Sequence, residues 1–264
     1  MAATGVGGGL LSGIAGGGGG SIMIPLMTGV LKMRQHTAHG TSLVIITFAA
    51  FASAITYSLT ESVNWLLVAI LIGGSTIGAF AGARGARYVP AMRLRQALGI
   101  FLLVIAARLL LFPHIDPVFA SRGVTEVVAG AVIGVAGGLT SGALGVGGGA
   151  IFVPSLVLVL GLGQHEAQGV SLWVIVAAAA VGATTHYRQG TVDVAAARVI
   201  VPAAVPAGIA GSLVAAALNA GHLQTIFASV LLALGVQMTY TAGRRLRAER
   251  LSRTAMAIPS AEVV

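Results

Sequence analysis

The hydrophobic positions of this chain fall in long uninterrupted runs rather than in alternation. Four apolar segments occupy residues 5–31, 41–60, 63–83 and 96–112, and four more occupy 125–160, 170–187, 194–218 and 222–242. Most approach or exceed the roughly 20 residues that an α-helix needs to cross a hydrocarbon core. A transmembrane β-barrel would instead show short strands of alternating polarity. The pattern therefore predicts an all-α polytopic membrane protein.

The pattern is also written twice. GVGGGLLSGIAGGGGGSIMIP begins at Gly5, and GVAGGLTSGALGVGGGAIFVP begins at Gly134, 129 positions later. The register holds without a gap: Pro25 matches Pro154, Gln35-His36 matches Gln164-His165, Ser42-Leu43 matches Ser171-Leu172, and Asn64 matches Asp193. About half of the first 40 aligned positions are identical. Such self-similarity defines structural units. It divides the chain into a first membrane repeat over residues 1–113, a connecting loop over 114–124, a second membrane repeat over 125–243 and a basic tail over 244–264.

The first segment of each repeat is interrupted by glycines, Gly16 to Gly20 in one and Gly145 with Gly147 to Gly149 in the other. Glycine costs about 1 kcal/mol per residue in a helix interior relative to alanine. Arms of about 11 residues rise about 16 Å each, roughly half of a hydrocarbon core. Each segment is then either a re-entrant hairpin or a broken helix that crosses. Charge favours the hairpin. With both segments re-entrant, Lys32, Arg34, Arg84, Arg87, Arg93, Arg95, Arg188, Arg198 and the five tail arginines share one side, and only Arg108 and Arg122 lie toward the other. Basic loops belong on the cytoplasmic side. Lys32-Met33-Arg34 becomes Gly161-Leu162-Gly163 in the second repeat, as expected of loops on opposite faces. The expectation is two inverted repeats, each with three full crossings, and both termini cytoplasmic.

Composition sharpens this picture. The chain is 56% hydrophobic and 8% charged, with a mean hydropathy of +0.96. Soluble domains carry roughly 25% charged residues. A soluble globular protein and a disordered chain are excluded, and the absence of cysteine excludes a disulfide scaffold. The net charge of +8 reflects cytoplasmic loops and not a nucleic-acid partner. Met1 to Val6 carry no basic n-region, so no cleaved signal peptide is expected.

At a glycine elbow, the return arm opens with unpaired N–H groups and a partial positive charge. Two elbows meeting from opposite faces would suit an anion, and glycine lets backbone approach it closely. The candidate substrate-binding residues are Ser12, Gly16, Gly17, Gly18, Gly19, Gly20 and Ser21 in the first repeat and Ser141, Gly145, Gly147, Gly148 and Gly149 in the second. Thr41, Ser42 and Ser171 join them at the starts of the following helices. The plainer alternative is that the glycines permit tight helix packing and the hydroxyls bond to nearby backbone.

His36 and His165 are candidates for a pH-sensitive gate or proton step, against a simple role at helix entry. Arg108 either attracts anions at the outer mouth or snorkels from its helix end. Gly74, Gly78 and Gly82, matched by Ala203, Ala207 and Gly211, form a small-residue packing ladder. Arg188 and Asp193 flank a short loop and could pair. No metal-ligand spacing or nucleotide loop stands out, so no cofactor is expected.

The two glycine stretches, SGIAGGGGGSIMIP and SGALGVGGGAIFVP, each followed by Q-H-x-A-x-G-x-S-L, resemble the signature halves of the TauE/SafE sulfite exporter family. The HYRQGTVD stretch resembles that family's second-half R-x-G-x-V-D pattern. Residues 5–242 carry the resemblance. It implies a bacterial or archaeal inner-membrane permease for sulfur-containing anions such as sulfite, sulfoacetate, thiosulfate and related organosulfonates, with the glycine stretches at its functional core. Ser58-Leu59-Thr60-Glu61 departs from the family's basic R-x-G, and the five-glycine run is fuller than its usual G-x-G-G-G; substrate choice stays open.

Two function classes follow. The first is a secondary transporter, by family expectation an exporter, that works by alternating access as its halves rock around a central glycine-lined site. Its partners are a small anionic substrate and the lipid bilayer. The second is a non-transporting membrane scaffold or assembly partner. A membrane-embedded enzyme is disfavoured, because no catalytic constellation appears.

Overall fold

The computed structural model describes residues 1–17, 19–60, 63–85, 91–112 and 123–257, without side-chain detail at 91, 93 and 248–257. Gly18 and nearly all of the connecting loop therefore lie outside the described residues. Ten α-helices account for the described elements, five from each repeat. The first repeat holds α1 (Ala2–Ala15), α2 (Gly20–Gly29), α3 (Gln35–Thr60), α4 (Trp65–Gly85) and α5 (Ala91–Leu111). The second holds α6 (Val124–Leu144), α7 (Gly149–Leu160), α8 (Gln164–Arg188), α9 (Val194–Ala217) and α10 (Ala220–Ala257). Seven of these are long and apolar enough to cross a membrane: α3, α4, α5, α6, α8, α9 and α10. Bulky apolar side chains such as Phe48, Ile77, Leu111, Val132 and Val236 stand exposed, as a lipid-facing surface requires.

Boundaries differ from the hydrophobic runs at two places. Helices α3 and α8 begin at the Gln-His pairs, six residues before the apolar runs that start at 41 and 170. Past residue 244, α10 continues to Ala257 through RRLRAERLSR. Arg, Leu, Ala and Glu are all strong helix formers, so the helix outlasts its apolar stretch. Asn64 and Asp193, equivalent in the repeat, cap α4 and α9 by accepting hydrogen bonds from the amides of Leu67 (3.1 Å) and Ala196 (2.9 Å). The Asp193 carboxylate thus serves as an N-cap.

Contacts fix the helix directions. Tyr57 reaches Gln168, Gly182 meets Leu43, and Gly40 meets His186, so α3 and α8 run antiparallel. α1 runs parallel to α9, with Gly5 against Ile200, Gly9 against Ala204 and Gly13 against Gly208. α6 runs parallel to α4 in the same manner, with Gly134 against Leu71 and Gly138 against Ser75. A Cβ at Gly74, Gly78 or Gly82 would lie 2.3–2.5 Å from a carbonyl oxygen of α6. The small-residue ladders are therefore close backbone packing faces. Each leading helix is clasped by the fourth helix of the opposite repeat.

Both glycine-broken segments fold back on themselves. A Cβ on Gly19 would meet the Gly8 carbonyl, and the equivalent atom on Gly148 would meet that of Gly137. Met23 packs on Gly8, and Phe152 on Gly137. α1 starts beside the beginning of α9, which Thr41 ties to the start of α3 through a 2.9 Å bond from the Asp193 amide. Since α2 leads directly into α3, the first hairpin enters and leaves at one end of the bundle. Gly130 packs on Leu67 and Ile70 near the start of α4, and α7 leads into α8, so the second hairpin belongs to the other end. The arms are unequal, however. α6 has 21 residues, about 31 Å of helix, which exceeds the half-span arm expected from sequence.

Candidate functional site

The two elbows touch at the centre of the bundle. A Cβ on Gly20 would lie 2.4 Å from the Gly145 carbonyl oxygen, and one on Gly149 would lie 2.4 Å from Gly17 Cα. Only glycine permits this approach. Gly16 and Gly145 end α1 and α6 in the left-handed region, with φ of 59° and 66°, where a side chain is strained.

The elbow carbonyls are held by serines of the opposite repeat. Ser171 Oγ donates to the Gly16 carbonyl at 3.0 Å. At the equivalent position, Ser42 Oγ lies 2.9 Å from the Gly145 carbonyl and 2.8 Å from that of His39. Both hydroxyls spend their protons on backbone, which braces the elbows, while Thr41 holds the α8–α9 loop. Ser12 and Ser141 differ. Each lies four residues before its elbow, wholly buried, and neither hydroxyl has a partner among the described residues. A buried hydroxyl without a bond is costly and invites explanation.

Four polar side chains at the elbows lie outside the sequence-derived set. His39 and Gln168 are repeat equivalents, as are Tyr57 and His186, and all four are buried. Gln168 packs on Gly16 and accepts a hydrogen bond from the Tyr57 hydroxyl. His39 packs on Gly145, next to Gly40 and His186. His186 Nε2 donates to the Gly142 carbonyl at 3.1 Å, and its Nδ1 lies 2.9 Å from Thr191 Oγ1. A usable signal existed: both positions are polar in an apolar helix in each repeat.

The gating candidates sit farther out. His36 is exposed at the start of α3 and stacks edge-on with His39, ring centroids 6.5 Å apart. His165 is half-buried at the start of α8. Arg108 is exposed, donates to the Phe112 carbonyl at 3.3 Å and stacks over the Phe112 ring at 4.9 Å. It lines none of the cavities described below.

A cavity of about 20 Å³ touches Ser21 of one hairpin and Leu144 and Val146 of the other, beside His39 and Arg95. That is room for about one water. Sharing Ile24, Gln35 and Arg95 with it, a second cavity of about 250 Å³ opens toward the end of the bundle where α10 finishes.

Residues 1–109 and 129–261 match the family described as "Sulfite exporter TauE/SafE". The chain belongs to the sulfite exporter TauE/SafE family. Its similarity to individual curated proteins is distant but long. "Probable membrane transporter protein YdhB" of Bacillus subtilis (strain 168) is 28% identical over 188 residues, covering 70% of this chain and 77% of the relative. "Probable membrane transporter protein YunE" of the same organism is 25% identical over 259 residues, covering 88% and 95%. A "Probable membrane transporter protein" of Xylella fastidiosa (strain 9a5c) is 26% identical, covering 88% and 91%. No solved structure matches the chain. This TauE/SafE protein is a multi-pass membrane transporter and not an enzyme.

Proposed function

We propose that this TauE/SafE protein is a secondary transporter that exports a small sulfur-containing anion, such as sulfite, sulfoacetate or another organosulfonate, across the cell's inner membrane. The reading rests chiefly on the contact between the two elbows. Glycine backbone from opposite ends of the bundle converges on one point, where the first-turn amides of α2 and α7 have no helical acceptor. Such amides and the aligned helix dipoles favour a negative guest. Irregular backbone at membrane depth belongs where it is buried or lines a cavity.

Gly16, Gly17, Gly19, Gly20, Ser21, Gly145, Gly147, Gly148 and Gly149 would form the backbone cradle. Ser12 and Ser141 would donate their free hydroxyls, and Thr41, Ser42 and Ser171 would hold the cradle in shape. His36 and His165, at the starts of α3 and α8, would gate the two mouths. The end of the bundle that carries Lys32, Arg34, Arg84, Arg188, Arg198 and the α10 tail would be cytoplasmic. The small central cavity corresponds to an occluded state, which must open alternately to each side.

Purified protein in liposomes tests the activity. Labelled sulfite, sulfoacetate or thiosulfate should exchange across the vesicle wall, and failure of all three would leave the scaffold reading in its place. Orientation is tested separately, since the chain has no native cysteine. Single cysteines at Gln35 and Gln164 should react with impermeant reagents from opposite faces; labelling from the same face would overturn the inverted arrangement.

A further inference from the structure

We propose that Arg95 and Arg245 form an oxyanion-holding vestibule on one face of the bundle only, a waiting site one step outside the elbows. The inference rests on the transporter reading and deepens it. Three cavities meet at Arg95. The smallest reaches Ser21 and Val146 at the elbows. The second, of about 250 Å³, adds Thr28, Met33 and Arg245. The third, of about 440 Å³, adds Gln237, Tyr240 and Arg244. Together they mark a route from the end of α10 to the glycine contact, with the Arg95 guanidinium along its length.

Charge is what makes this route specific. Among their described lining residues, none of the three cavities has a carboxylate. Arg95 Nε is buried without an acceptor among the described residues. Arg245 Nη1 donates to Gln35 Oε1 at 3.3 Å, which leaves its other donors for a guest. Two guanidiniums lining one cavity repel each other unless an anion sits between them. The planar guanidinium fork matches the paired oxygens of an oxyanion. The 250 Å³ cavity has space for one small oxyanion with part of its hydration shell.

The second repeat has no counterpart. Arg95 aligns with Gln224, and Thr28, Met33 and Gln35 align with Val157, Leu162 and Gln164. The vestibule is therefore a departure from the duplicated plan. A guest arriving from the α10 face meets a cationic station before the elbows; a guest arriving from the other face does not.

The test uses full-length protein and two variants, Arg95→Gln, which copies the residue of the other repeat, and Arg245→Gln. Binding of labelled sulfite to purified protein and flux in vesicles of uniform orientation are both measured. Each variant should weaken sulfite binding by roughly tenfold or more. Half-saturation for sulfite offered from the α10 face should rise to match, while half-saturation from the opposite face stays near wild type. Arg95→Lys, which keeps the charge but loses the fork, should fall between. Wild-type binding and wild-type half-saturation in both Gln variants would overturn the vestibule. An equal loss from both faces would also overturn it, by placing the arginines in the central site. If wild-type protein moves no oxyanion, the transporter reading falls; sulfite binding that is lost in Arg95→Gln would still reveal the vestibule.

Discussion

The two elbows share a backbone and differ in the side chains laid against it. At the first, Gly16 is braced by Ser171 and covered by Gln168, which Tyr57 holds. At the second, Gly145 is braced by Ser42 and covered by His39, with His186 alongside. Glycine and serine recur at the same offset, whereas the covering pair changes from tyrosine and glutamine to two histidines. Duplication has kept what the backbone geometry demands, a left-handed turn and a donor to its carbonyl, and has let the surrounding side chains diverge. One elbow is lined by a phenol and an amide, and the other by two buried imidazoles.

The largest expected effect strikes what the elbows have in common. In Gly149→Val, the new side chain meets Gly17 Cα and the Gly16 carbonyl, both backbone. Overpacking of this kind costs about 1–3 kcal/mol, and transport should fall by at least about tenfold as the elbows are forced apart. Gly163→Val, with open space around it, should transport normally. Wild-type flux in well-folded Gly149→Val would show that the contact has no role in transport.

The next prediction concerns the difference between the elbows. His39→Gln and His186→Tyr together rebuild at Gly145 the pair found at Gly16. The double variant should be more stable than the two single changes predict, with a coupling of about 0.5–3 kcal/mol in thermal or denaturant unfolding. Additive losses would mean that the two elbows do not position this pair alike. Ser42→Ala and Ser171→Ala should each cost about 1 kcal/mol, and by nearly the same amount, because their bonds to the elbow carbonyls measure 2.9 and 3.0 Å. A cost confined to one of them would make the bracing one-sided. Smallest are the caps: Asn64→Gly and Asp193→Gly should each lower stability by a few tenths of a kcal/mol, read in denaturant unfolding.

The helices, the repeat offset, the glycine breaks and the packing ladder were legible in the sequence because each is written locally, in runs of apolar residues or in small residues four apart. The braces were half legible. Ser42 and Ser171 stood out as equivalent hydroxyls, but their acceptors lie 103 and 155 residues away, and only the fold brings them together. His39, Gln168, Tyr57 and His186 were hidden for another reason. Aligning two repeats draws attention to identities, and these positions matter where the repeats disagree. Arg95 was masked by its neighbours: beside Arg93 and a run of loop arginines it looks like one more cytoplasmic charge, yet it lines all three cavities of the route.

Gly5, Gly9 and Gly13 on one side, and Gly134, Gly138 and Gly142 on the other, fasten each leading arm to a helix of the other repeat, α1 to α9 and α6 to α4. The stretch of gene that was copied is therefore not the piece of protein that can swing as a block. Under the proposed alternating access, a tilting unit would carry an arm from one copy and a strut from the other.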